Sequence, residues 1–170
     1  MSKRALKKYL GELEKEQLEE QILDLYERFD EVRTFYNFVF DPKEDKLLRN
    51  AKFKISKEYF PVNNRKPKAR RSVAQKIIRH FLKLGVEPEI VADVMLFNLE
   101  IAQSFSAEKE KISEAFEKSM LKSFEQAADF IIVNHLPSEL QKRLIHCSEA
   151  AEEQGWSNHY RFKKVADQFF

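Results

Sequence analysis

Read for apolar and polar positions, the chain is a succession of helical patterns separated by short breaks. Leu18, Ile22, Leu25 and Phe29 recur at i, i+4, i+7 and i+11, with Leu23 and Tyr26 widening the face, so the spacing predicts a helix over Glu16 to Phe29. A shorter pattern from Ser2 to Leu10 ends at Gly11, and another from Glu31 to Phe40 has Asp30 as its cap. Asp41-Pro42-Lys43-Glu44 supplies an N-cap carboxylate, a proline with preset φ and an early glutamate. The helix it predicts carries Leu48, Ala51, Ile55 and Tyr59 and stops at Pro61. Residues 52–56 also alternate, which leaves a short strand as the alternative to helix.

The second half repeats the theme. Ser72 with Gln75 forms a capping-box pattern ahead of Val73, Ala74, Ile77, Ile78, Phe81 and Leu82, and Gly85 suits the C′ position. Pro88 opens a segment that is apolar nearly all round (Ile90, Val91, Val94 to Phe97, Leu99, Ile101, Ala102, Phe105), the signature of a helix in the middle of a bundle. The next helix is expected from Ser106 or Ala107, through Ile112, Phe116, Met120, Phe124, Ala127 and Ile131, to about Asn134. Ser138 with Gln141 marks a second capping box, opening a helix through Leu140, Leu144, Cys147 and Ala151. Gly155 closes it, and Asn158 to Phe169 is the last.

These elements predict an all-α protein of eight or nine antiparallel helices, arranged as a bundle or a short α-superhelix. The chain has only 3 glycines and 5 prolines in 170 residues, which suits long helices and argues against a turn-rich β fold. The expected organisation is a single domain over 1–170. The alternative is an N-terminal helical subdomain 1–60, a basic linker 61–71 and a C-terminal bundle 72–170. The lone Cys147 excludes an internal disulfide, no uncharged run approaches a membrane span, and no apolar stretch follows Lys3 and Arg4. The expected location is the cytoplasm, with no membrane partner.

Charge changes this picture. The formal net charge is only +2, yet Lys43 to Lys83 holds fourteen Lys or Arg against Glu44, Asp45 and Glu58. A basic, proline-containing stretch runs straight into an amphipathic helix with a cationic face, so an anionic partner is expected at Arg65, Lys66, Lys68, Arg70, Arg71, Lys76, Arg79 and Lys83. Nucleic acid is the leading candidate, since such density can neutralise phosphates; an acidic protein surface is the other. Phe35, Tyr36, Phe38, Phe40, Phe53, Tyr59 and Phe60 could offer stacking platforms nearby, although helical spacing assigns most of them to the core.

Candidate chemistry is sparse. His80, His135, His146, Cys147 and His159 match none of the usual ligand spacings, so no metal, cofactor or catalytic residue is assigned. Asp93 and Glu100 share a face of the central helix. They could act as acid and base, or hold a divalent ion with Gln103, but pairing with Lys or Arg from a neighbouring helix is the expected use.

Residues 2–10 (SKRALKKYL), 16–26 (EQLEEQILDLY) and 67–76 (PKARRSVAQK) resemble an uncharacterised family of bacterial domains of unknown function. The resemblance spans most of the chain and implies no activity, ligand or catalytic residue. Residues 2–26 are also similar to the two-helix hairpin of SAP-type DNA-binding modules, through leucines at helical spacing. The expected function is a non-enzymatic binding or adaptor module; the alternatives are a helical protein-interaction scaffold and a carboxylate-based enzyme around Asp93 and Glu100.

Overall fold

Hydrophobic periodicity is realised as helix throughout. The computed structural model describes residues 2–62 and 65–169, among which there are nine α-helices and no strand. They are α1 Lys3–Leu10, α2 Lys15–Arg28, α3 Asp30–Phe40, α4 Glu44–Tyr59, α5 Arg71–Leu84, α6 Pro88–Ala107, α7 Glu114–Val133, α8 Ser138–Glu153 and α9 His159–Ala166, followed by a short 3₁₀ turn, Asp167–Phe169. Residues 52–56 are helix: Ala51, Ile55 and Tyr59 are buried, whereas Phe53 and Lys57, which alternation would place on the same face, are exposed.

The chain divides into two compact units, Met1–Lys43 and Glu44–Phe170. The division falls at 43/44 rather than near 60, because α4 packs against α6 and α5. The expected 61–71 linker is therefore a loop inside the second unit; residues 63 and 64 lie outside the described set.

In the first unit α2 pairs with α3, and the Tyr26 hydroxyl donates to Asn37 Oδ1 at 2.9 Å. Gln21 Nε2 donates to the Tyr9 hydroxyl at 2.8 Å, tying α1 to α2. Glu14 with Gln17 forms a capping box at the start of α2 that the sequence pattern had not singled out. No residue of these three helices is fully buried, and Leu23, Phe29, Val39 and Phe40 are exposed. The expectation that the aromatic set is mostly core is corrected: of the seven rings, Tyr59 alone is fully buried. A 43-residue hairpin with three short helices has too little depth to enclose large rings.

The second unit is built around α6, which packs against α4, α5, α7 and α8 as expected for its apolar surface. Val91, Val94, Leu96, Leu99 and Ala102 meet Ile55 and Tyr59 of α4, Met120, Phe124 and Ile131 of α7 and Leu144 of α8 in one core, closed by Trp156 and Phe162. By length and composition α6 is apolar enough to cross a membrane; here ten of its twenty residues are buried within the unit.

Several helix ends differ from the pattern. Helix α7 begins at Glu114, not near Ala107, because α6 runs on to Ala107 and Ser113 Oγ accepts the Phe116 N–H at 3.2 Å as the true cap. Ile112 is thus outside it. Helix α4 starts at Glu44 rather than Pro42, and α3 has Phe29, not Asp30, at its N-cap. The Ser138 capping box is absent: Pro137 is the N-cap, and Gln141 Nε2 reaches back to the Leu136 carbonyl instead.

Candidate functional site

The basic loop is fastened to the last turn of α4 by one residue. The Glu58 carbonyl accepts the backbone N–H of Lys68 (3.0 Å) and of Ala69 (2.9 Å). Its carboxylate takes a two-pronged grip from Arg70, Nε and Nη2 each at 2.8 Å. That guanidinium holds the Glu58 carboxyl below the usual carboxylate range, against burial that would raise it. Ala69 sits at φ 46°, so the loop turns through a left-handed residue just before the helix.

Arg70, thus anchored, becomes the N-cap of α5 in extended geometry, and Ser72 falls at the second helical position without a capping bond. The Ser72–Gln75 capping box is therefore corrected. Gly85 fulfils its expected role: at φ 74° it closes α5, with its own N–H on Leu82 and the Val86 N–H on the Phe81 carbonyl.

The eight expected anion contacts separate into three groups. Arg65, Lys66, Lys68 and Arg70 converge, with Lys57 of α4, on a concavity of about 240 Å³ also lined by Glu58, Pro61 and Val62. Lys76, Arg79 and Lys83 lie exposed along α5, where Arg79 Nε bonds the Gln75 carbonyl one turn back. Arg71 is diverted: its Nε donates to Ser123 Oγ and its Nη2 to Gln126 Oε1, both at 2.7 Å, pinning α5 to α7. Burial lowers the pKa of that guanidinium from its ordinary value.

Lys57 is the residue that the sequence reading missed. It counts in the basic run, but only the return of the loop over the end of α4 brings it beside Arg65 and Lys66. No described carboxylate lies within ion-pair distance of Lys57, Arg65, Lys66 or Lys68. The single acid in the lining, Glu58, is occupied by Arg70. The concavity therefore presents cations with little internal neutralisation.

Asp93 and Glu100 pair with basic side chains from neighbouring helices, the use expected from the sequence. Arg143 of α8 bridges them, Nη1 to Asp93 at 2.8 Å and Nε and Nη2 to Glu100 at 2.8 and 2.9 Å. Lys52 adds a contact to the other Asp93 oxygen at 2.7 Å. Burial would raise the Asp93 carboxyl, but hydrogen bonds and charge from Lys52 and Arg143 outweigh it and hold it below the usual range. Gln103 points elsewhere, donating to the Cys147 carbonyl at 2.6 Å. Cys147 is buried and its thiol is pushed up to about 12, mainly by that burial, so it is protonated at neutral pH. His146 is exposed against Glu149, and His159 Nδ1 lies 2.8 Å from the Trp156 carbonyl. Among the described residues no three His, Cys, Asp or Glu side chains gather to hold a metal.

Fold and surface together define an all-α protein with a concavity at a helix-to-helix turn, lined by Lys57, Arg65, Lys66, Lys68 and Arg70. The whole chain, residues 1–170, matches a family of unknown function (DUF6155), and the protein belongs to that family. No curated protein and no solved structure matches it.

Proposed function

We propose that this protein is a non-enzymatic binding module that docks an anionic partner, with nucleic acid the leading candidate, in the concavity of Lys57, Arg65, Lys66, Lys68 and Arg70. One observation carries the reading: four of these five cations lack a described carboxylate partner while facing one pocket. Such a cluster attracts phosphates, and Lys76, Arg79 and Lys83 stand exposed further along α5, spanning roughly 10 Å at 1.5 Å per residue. The reading includes a cytoplasmic location, supported by the lone Cys147, which has no second cysteine for an internal disulfide.

The test is fluorescence anisotropy with labelled oligonucleotides at low and moderate salt, using Arg65→Gln/Lys66→Gln/Lys68→Gln as the neutralised variant. Arg70 and Arg71 stay intact, since each holds the fold together. Salt-sensitive binding lost in the variant supports the reading. Absence of binding at low salt removes it.

A second reading, a helical scaffold for another protein, is favoured by the exposed Leu23, Phe29, Val39 and Phe40 of the first unit. Binding through such a surface would be nearly insensitive to salt. The carboxylate-enzyme alternative loses support, because Asp93 and Glu100 are occupied by Arg143 and Lys52.

A further inference from the structure

Helix α4 carries Arg49, Phe53 and Lys57 at four-residue intervals, all exposed, so a cation, a ring and a second cation stand in line on one face. Phe53 is 56% exposed, and the Lys57 ammonium lies 4.0 Å from its ring centroid. Lys57 also lines the basic concavity, so the ring and the pocket are linked by a single side chain.

From this ladder, and resting on the anionic docking argued above, we infer that the partner is single-stranded nucleic acid: one unpaired base stacks on Phe53 while adjacent phosphates lie among Lys57, Arg65, Lys66 and Lys68. A duplex keeps its bases stacked on each other and offers the ring no free face, whereas an unpaired base does. The Lys57 contact with the ring is the weak kind formed at exposed sites, so a base displaces it readily. The freed ammonium then turns to the phosphate beside it. Phe60 is not the platform, because its ring meets Phe105 edge-on at 6.1 Å.

The experiment uses the full chain with a labelled 12-nucleotide single strand and a duplex of the same length. Phe53→Ala is expected to weaken single-strand binding about tenfold, in the range of one lost base–aromatic stack, and to leave the salt dependence and duplex binding unchanged. Phe53→Trp is expected to retain binding and to show quenched indole emission on adding the strand, above a constant signal from buried Trp156. If Phe53→Ala binds both forms as the parent does while Arg65→Gln/Lys66→Gln/Lys68→Gln does not, the anionic docking stands and the single-strand inference is overturned. If no oligonucleotide binds at low salt, both fall together.

Discussion

At the scale of single residues, Glu58 is where structure and proposed function meet. It holds the basic loop by its carbonyl and Arg70 by its carboxylate. Glu58→Gln keeps the backbone contacts and removes the single acid from the pocket lining. It should therefore raise affinity for an anionic oligonucleotide, measured by anisotropy at fixed salt; a loss of affinity would mean that the charged pair is needed to shape the loop. The cluster on Arg143 makes a prediction about pH. Asp93 has a lowered folded pKa, so its contribution is present above the unfolded value near ~4 and is lost as pH falls through the folded one. Asp93→Asn should cost about 1 kcal/mol at pH 7, the pair being partly solvated. In urea titrations its gap from the parent should narrow on acidification.

Single residues also show how far the sequence could be read. Gly85 announced a helix end because its lack of a Cβ suits φ 74°, while His135 at φ 51° does the same task at the end of α7 with no such signal. Gly85→Ala should destabilise by about 1 kcal/mol, and His135→Gly should stabilise by a smaller amount, both read from denaturant midpoints.

Among whole elements, the legible features were those that depend on periodicity. The all-round apolar pattern of Pro88 to Phe105 identified α6 as central, and α6 does touch most of the second unit. Caps were harder to read. Ser72 and Ser138 carried the right spacing, yet α5 begins two residues early because Glu58 fixes Arg70, a contact across twelve residues that no local pattern encodes. The break between α6 and α7 was misplaced for a related reason: Ser106, at the expected start of the next helix, is buried and donates to the Gln103 carbonyl inside α6. The packing yields a direct contrast. Leu99→Ala in α6 should cost about 2–5 kcal/mol. Leu23→Ala in α2, where the side chain is exposed, should shift stability by no more than about 0.5 kcal/mol. Thermal unfolding of the two variants checks this.

For the molecule as a whole, the sequence revealed the charge asymmetry but not which cations are available. Arg70 and Arg71 belong to the same run as Arg65 and Lys66, yet they are taken up by Glu58, Ser123 and Gln126. Separating the two sets required the path of the loop, as did finding Lys57. Among the described residues the buried apolar ones all lie at Ala51 or later, which predicts that a chain of residues 44–170 unfolds cooperatively without the first unit. Calorimetry on that fragment, showing a single transition, is the expected result.

The proposed interaction is between a cationic pocket and an anionic strand. Its most direct measurement is the affinity of the full chain for a single-stranded oligonucleotide across a range of salt concentrations. Four unpaired cations predict a log–log slope of about −3, falling by about 2 when Arg65, Lys66 and Lys68 are neutralised. Binding that ignores salt, or no binding even at low salt, would contradict it.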